Sequence, residues 1–257
     1  KGKSQFFILF GDVVQINRVA NKIKKFHPDV AVHLAWEGIP SPNPRFNKRN
    51  LAGGLQTIET LAQAGCKTMI VAGSCHEYGE PGKKVNERSP LRPYNTLYAT
   101  KVKLYKQGSK IAARYNMRFI WTRLGFVFGP GQRSASLIPY LLACKKNRAV
   151  PILKNPSGGN DFIFVDDVAR ALSKIVRKKN LKNVTYNIGS GRLTSVAEIG
   201  NAIYGARVFP VPKKPRGFWL DIRKIKKEVG WEPRTSLKAG IRATIVNNEG
   251  LHHGLGK

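Results

Sequence analysis

The chain has 257 residues and a hydrophobic content of 42%, enough for one large α/β domain or one domain with a small lobe, which excludes global disorder. Charge is the abnormal feature: 45 Lys and Arg against 15 Asp and Glu give a net +30, which bears on polyanionic partners and solubility rather than on fold. No apolar run approaches the ~20 residues of a membrane helix, and no secretory or lipidation signal is present.

Strand and helix patterns alternate along the chain, which predicts an α/β fold with a mostly parallel, doubly wound sheet. Residues 5–10 (QFFILF) form an apolar run closed by Gly11-Asp12 and are expected to be a strand. Residues 30–35 (VAVHLA) are expected to be a second. Residues 50–64 carry Leu51, Leu55, Ile58 and Leu61 at helical spacing, and Gly65 ends that helix. A strand over residues 68–72, a helix over 97–115 and a strand over 118–122 follow. A helix over residues 165–178 opens with Asp166-Asp167, acids suited to a helix N-terminus. A strand over residues 185–188 precedes a helix starting near Ser195, where Glu198 stands at capping-box spacing. The expected division is residues 1–130 as a nucleotide-binding core and 131–257 as a mixed region that completes the sheet and forms a small substrate lobe.

A nucleotide-binding fold of this kind opens with a strand, a glycine-rich turn and a helix. Nothing of the form GxxGxxG precedes Gly11-Asp12, and the chain starts at Lys1 rather than Met. It is therefore expected to be a Rossmann-like fold lacking its first elements, binding NAD weakly or not at all by itself. The three cysteines, Cys66, Cys75 and Cys144, have no metal-ligand spacing, so no metal is expected. Their odd number fits the cytoplasm or another reducing compartment. His252-His253 read as a tail. The charge is uneven: fourteen Lys and Arg and no acid lie between Glu87 and Asp161. Within that stretch Lys103, Lys106, Lys110 and Arg114 recur at helical spacing, a stripe able to meet nucleic acid or another polyanion.

Several motifs follow one another in a fixed order. They are Gly11-Asp12-Val13-Val14, His33-Leu34-Ala35, the helix opening at Asn50, and Gly73-Ser74-Cys75-His76-Glu77-Tyr78-Gly79. Next come Leu97-Tyr98-Ala99-Thr100-Lys101, then Arg123 through Gly129-Pro130-Gly131-Gln132, then Asp161-Phe162 through Asp166-Asp167. Tyr186-Asn187-Ile188-Gly189, Leu220-Asp221 and Gly230-Trp231-Glu232-Pro233 close the series. Together they resemble the NAD-dependent epimerase/dehydratase branch of the extended short-chain dehydrogenase/reductase family.

The resemblance implies an NAD- or NADP-dependent epimerase, dehydratase or reductase acting on a nucleotide-sugar, with a homodimer as one possible state. It implies Tyr98 as general acid/base, Lys101 as its electrostatic partner and Ser74 as the hydroxyl on the reacting oxygen. A phenol of pKa ≈ 10 needs a nearby cation to work at neutral pH. It implies Asp12, Val13, Leu34, Ala35, Asn50, Tyr98 and Lys101 as cofactor contacts, and Arg133 and Arg216 as substrate-phosphate contacts. The chain departs from the family's pattern at several points. The Tyr–Lys spacing is three rather than four, Asn160 replaces an Arg, and Phe126 and Phe128 replace an Asn and a Tyr. These departures and the charge support an alternative, a catalytically retired basic scaffold that binds nucleic acid or another polyanion.

Overall fold

The structure, a computed structural model, describes residues 8–178, 181–182, 184–205 and 208–253. A 3-10 helix at Val13–Val19 leads into α1 (Ala20–Phe26), β1 (Val30–His33), α2 (Pro44–Gln63) and β2 (Thr68–Ala72). After a 3-10 turn at Cys75–Tyr78 come β3 (Lys84–Val85), α3 (Thr96–Arg114), β4 (Arg118–Leu124), β5 (Phe126–Phe128) and α4 (Leu137–Lys146). The remainder is β6 (Gly158–Asn160), β7 (Phe162–Phe164), α5 (Val165–Arg177), β8 (Val184–Ile188), β9 (Thr194–Ser195) and α6 (Val196–Tyr204). Two short strands, β10 (Arg216–Gly217) and β11 (Trp219–Leu220), precede α7 (Arg223–Val229) and α8 (Leu237–His253). No helix among the described residues is long and apolar enough to cross a membrane.

The main sheet has the order β1-β2-β4-β8. β1 and β2 run parallel with Val32 opposite Ile70, and β2 and β4 run parallel with Ile70 opposite Ile120. The chain forms two interleaved units: one takes in the residues through Glu77, Pro93–Thr122 and Asn180–Thr185, the other Tyr78–Arg92, Arg123–Lys179 and Tyr186 onward.

In the first unit, Met69, Val71, Phe119 and Trp121 of the sheet join Ile58 and Leu61 of α2 and Leu104 of α3 in one core. Two glycines set how closely the helices approach. A Cβ on Gly54 would stand 2.9 Å from the Leu104 methyls, and one on Gly108 would stand 2.6 Å from Ile58 Cδ1. In the second unit Phe128, Phe164, Ile138, Leu141, Ile199, Ile203 and Ile241 form a separate core. There Asp167, fully buried, accepts the backbone N–H groups of Arg234 and Thr235, both at 3.0 Å, and ties the segment before α8 to α5.

The expected strand over residues 5–10 is not observed over its described part: residues 5–7 lie outside the described residues, and 8–10 form no strand. An apolar run becomes a strand only where a neighbouring strand supplies ladder partners. Instead Phe10 is 90% exposed, and Asp12 caps the 3-10 helix by accepting the Val14 N–H at 3.0 Å. α2 starts six residues earlier than expected, because Asn43 caps it and Pro44 fits its first turn.

Candidate active site

β2 ends at Ala72, and the chain turns through Gly73 and Ser74 into the short 3-10 helix. Only glycine fits at 73, where a Cβ would lie 2.3 Å from Trp121 Nε1 and 2.5 Å from Glu77 Oε1. Glu77, fully buried, holds the turn: it accepts the Ser74 N–H at 2.8 Å and the Trp121 indole N–H at 3.0 Å. Ser74 Oγ accepts the His76 N–H at 3.2 Å. Sequence reasoning named Ser74 and missed Glu77 and Trp121, whose contact spans 44 residues and leaves no periodic signal.

α3 starts at an Asn95 cap that accepts the Tyr98 N–H at 3.1 Å. Leu97 and Lys101, four residues apart, share the face turned inward and are 1% and 5% exposed. Tyr98 is one position on, rotated by about 100° on the helix, and is half-buried. Its ring packs on His76 at 4.7 Å between centroids and on Tyr94 at 5.2 Å. The Tyr94 hydroxyl lies 3.3 Å from His76 Nδ1. Burial pushes the His76 imidazole down to about 4, so it is neutral at pH 7.

Lys101 Nζ donates to Ala72 O at 3.1 Å and lies 3.8 Å from the centroid of the Trp36 ring. Burial lowers its pKa to about 8, with Glu77 opposing the shift. His33, also buried, is pushed down to about 4, first by burial and then by the Lys101 charge. The structure thus gathers Ser74, Tyr98 and Lys101 at the C-terminal end of β2, with Tyr98 turned toward His76 and the ammonium toward Trp36.

A cleft of about 190 Å³ in the same unit is lined by Asp12, Val13, Ala35 and Asn50, four of the expected cofactor contacts, together with His33, Trp36, Glu37 and Arg49. Leu34, expected among them, is 60% exposed and does not line it. Arg49 bridges Asp12 at 2.7 Å and Glu37 at 3.0 Å. The Asp12 carboxyl is held below its usual range by the Val14 N–H and then by Arg49. Asn50 accepts the Glu37 N–H at 2.8 Å and donates to the Glu37 carbonyl at 2.9 Å, fixing the loop after β1. Trp36 Nε1 is buried and has no hydrogen-bond partner among the described residues.

In the second unit Arg133 and Arg216 are both exposed, Arg216 on β10 beside Gly158 of β6. Asp161 is buried and accepts the N–H groups of Ser190 at 2.5 Å, Gly191 at 3.0 Å and Leu220 at 3.1 Å. Burial raises its pKa despite those donors. A second buried network joins Asn187 Oδ1 to the Tyr78 hydroxyl at 2.7 Å, with Arg123 donating to that hydroxyl at 3.0 Å. Phe126 packs on Phe162, and Phe128 on Phe164. The three cysteines are free, and no group of potential metal ligands occurs among the described residues.

The model of one protein family, the NAD dependent epimerase/dehydratase family, matches residues 2–189. A trifunctional UDP-glucose 4,6-dehydratase, 3,5-epimerase and reductase from Arabidopsis thaliana is 28% identical over 95% of this chain, which spans 40% of that protein's length. An uncharacterized UDP-glucose epimerase from Bacillus subtilis is 27% identical over 88% of this chain and 76% of its own. Among solved structures, UDP-glucose 4-epimerase from Thermotoga maritima with UDP-glucose superposes with a TM-score of 0.82 at 24% identity, over 94% of this chain and 84% of that one. A dTDP-glucose 4,6-dehydratase from Bacillus anthracis, in complex with NAD, gives 0.82 at 22% identity, over 95% of this chain and 80% of that one.

Proposed function

We propose that this chain, which belongs to the NAD-dependent epimerase/dehydratase family, forms part of an NAD(P)-dependent enzyme that epimerises, dehydrates or reduces a nucleotide-sugar. The observation that carries this reading is the cleft: Asp12, Val13, Ala35 and Asn50 line one cavity, and Lys101 lies behind its Trp36 wall. The cleft's Asp12 and Glu37 carboxylates, its Arg49 guanidinium and the buried indole N–H of Trp36 suit a ligand carrying both donors and acceptors. A nicotinamide dinucleotide held there supplies reversible hydride transfer.

The chain's own residues handle the proton and the orientation. Ser74 holds the reacting oxygen of the sugar by a hydrogen bond. Tyr98, packed on His76, gives or takes the proton at that oxygen, and Lys101 acts as a nearby cation of the same turn of α3. Arg133 and Arg216 contact the diphosphate, where a guanidinium offers a two-pronged donor.

The test is turnover of UDP- and dTDP-hexoses by the chain with NAD or NADP at millimolar concentration, because without the glycine-rich turn the cofactor is expected to bind weakly, followed by product analysis. Ser74→Ala, Tyr98→Phe and Lys101→Met are each expected to lower kcat by about 10²-fold or more. Turnover unchanged by all three would remove the site assignment. A loss with Ser74→Ala and Lys101→Met but not Tyr98→Phe would place the acid/base elsewhere. As a second partner we assign a polyanion to the outer face of α3, because Lys103, Lys106 and Lys110 are all exposed there.

A further inference from the structure

We propose that Trp36 is a nucleotide-recognition residue that also governs access to Lys101. The inference rests on the assignment of a dinucleotide to the first unit's cleft and adds a residue that neither the motifs nor their spacing pointed to. Three observations meet at this side chain. Trp36 lines the cleft. Its ring covers Lys101 Nζ at 3.8 Å, and its body packs against the core shared by α2, α3 and the sheet. Its indole Nε1 is buried without an acceptor among the described residues.

The first two make Trp36 a cover. An ammonium is attracted to the face of an indole, and Lys101, 5% exposed, has its other contact at Ala72 O. Lys101 does not itself line the cleft. A ligand oxygen coming from the cleft to Nζ must therefore take the place of the ring. The cleft's volume of about 190 Å³ also falls below the roughly 300–1,000 Å³ common for small-molecule sites, as a cleft shut at one end would.

The third observation makes it a recognition element. A buried donor without an acceptor is costly, so the conformation that pairs it is favoured. The acids lining the cleft do not serve in this structure: Asp12 bonds Val14 N–H and Arg49, Glu37 bonds Arg49, and neither is bonded to the indole. An oxygen of the ligand, from a ribose hydroxyl or a phosphate, supplies the missing acceptor. Binding would then stabilise a ring position off the ammonium and open Lys101 to the ligand.

The experiment titrates the chain with NAD and separately with adenosine, and follows acylation of the Lys101 amine by mass spectrometry. In the wild type Lys101 should react slowly, and in Trp36→Ala about tenfold faster, because a covered group reacts only through local opening. Trp36→Phe keeps a ring over the ammonium and lacks the N–H. Its Lys101 should stay protected while NAD binding weakens about five- to tenfold, the worth of one hydrogen bond. The same weakening with adenosine assigns the acceptor to ribose, and weakening with NAD alone assigns it to phosphate. Equal Lys101 acylation in wild type and Trp36→Ala overturns the covering role. Equal NAD affinity in wild type and Trp36→Phe overturns the recognition role. If the wild type binds no NAD at millimolar concentration, the cofactor reading and the recognition role both fall, and acylation alone decides the covering role.

Discussion

Lys101 sits where its own charge is disfavoured, and this gives the fold a pH signature. Its folded pKa of about 8 lies below the ordinary value of about 10.4, so between those limits the unfolded chain binds more protons. Stability is then reduced below pH ~8 and recovers as pH rises toward ~10.4. Denaturant titrations should show the wild type gaining about 3 kcal/mol relative to Lys101→Met across that window; a parallel pair of curves would contradict the burial of the ammonium. His33 runs by the same rule in acid. Neutral in the fold down to about 4, it leaves stability intact above pH ~6.5 and removes it as pH falls toward 4. His33→Gln should flatten that loss by about 3 kcal/mol, as read from urea midpoints at pH 7 and pH 4.5. At this scale the sequence marked Ser74 and Lys101 as candidates through the order of their motifs, and the structure places both near the C-terminal end of β2. The sequence was silent on Leu97, since spacing alone does not say which of two adjacent side chains on α3 faces inward. The fold decides that Leu97 and Lys101 are buried together while Tyr98 turns to His76.

Helix ends and helix contacts can be probed one at a time. α6 begins with a complete capping box: Ser195 accepts the Glu198 N–H at 3.1 Å, and the Glu198 carboxylate accepts the Ser195 N–H at 2.8 Å. Ser195→Ala should cost about 1 kcal/mol in thermal or denaturant unfolding. Gly108 lies against Ile58 and Phe119, so Gly108→Val should cost about 2 kcal/mol or more by forcing α2 and α3 apart. A smaller effect than that of Ser195→Ala would mean that Ile58 swings aside freely. The α6 cap was legible because its two residues stand three apart before an apolar run. α4 was not, because Pro139 interrupts the pattern even though it falls in the first turn, where proline is tolerated. The first two turns of α2 were hidden likewise, since Arg45, Asn47, Lys48 and Arg49 show no apolar stripe. The strand expected over residues 5–10 is not observed over its described part, 8–10, because hydrophobicity marks what is sticky, whereas a strand also needs a neighbour.

The whole molecule carries +30, and such a charge repels itself unless salt screens it. The thermal midpoint should therefore rise as salt goes from about 20 to 200 mM, within reach of the Debye length; an unchanged midpoint would mean that the charges are spaced too widely to matter. On a heparin column the chain should elute late, and Lys103→Gln, Lys106→Gln and Lys110→Gln together should lower the salt slope by about 2–3. Arg114 should contribute less than these three, because it pairs with Glu59 at 2.9 Å. A slope unchanged by the triple substitution would make the attraction diffuse. The α/β class and its parallel sheet were legible from alternation, but the interleaving of the two units was not, because it depends on which distant segments pair. That interleaving has a consequence for how the chain emerges from a ribosome. β8 closes the sheet order beside β4, yet about sixty residues separate Leu124 from Val184. At about 5–20 residues per second, β4 waits roughly 3–12 s for that neighbour. Through that interval the nascent sheet presents an open edge made of Phe119, Ile120 and Trp121, the kind of surface on which chaperones and misfolding compete.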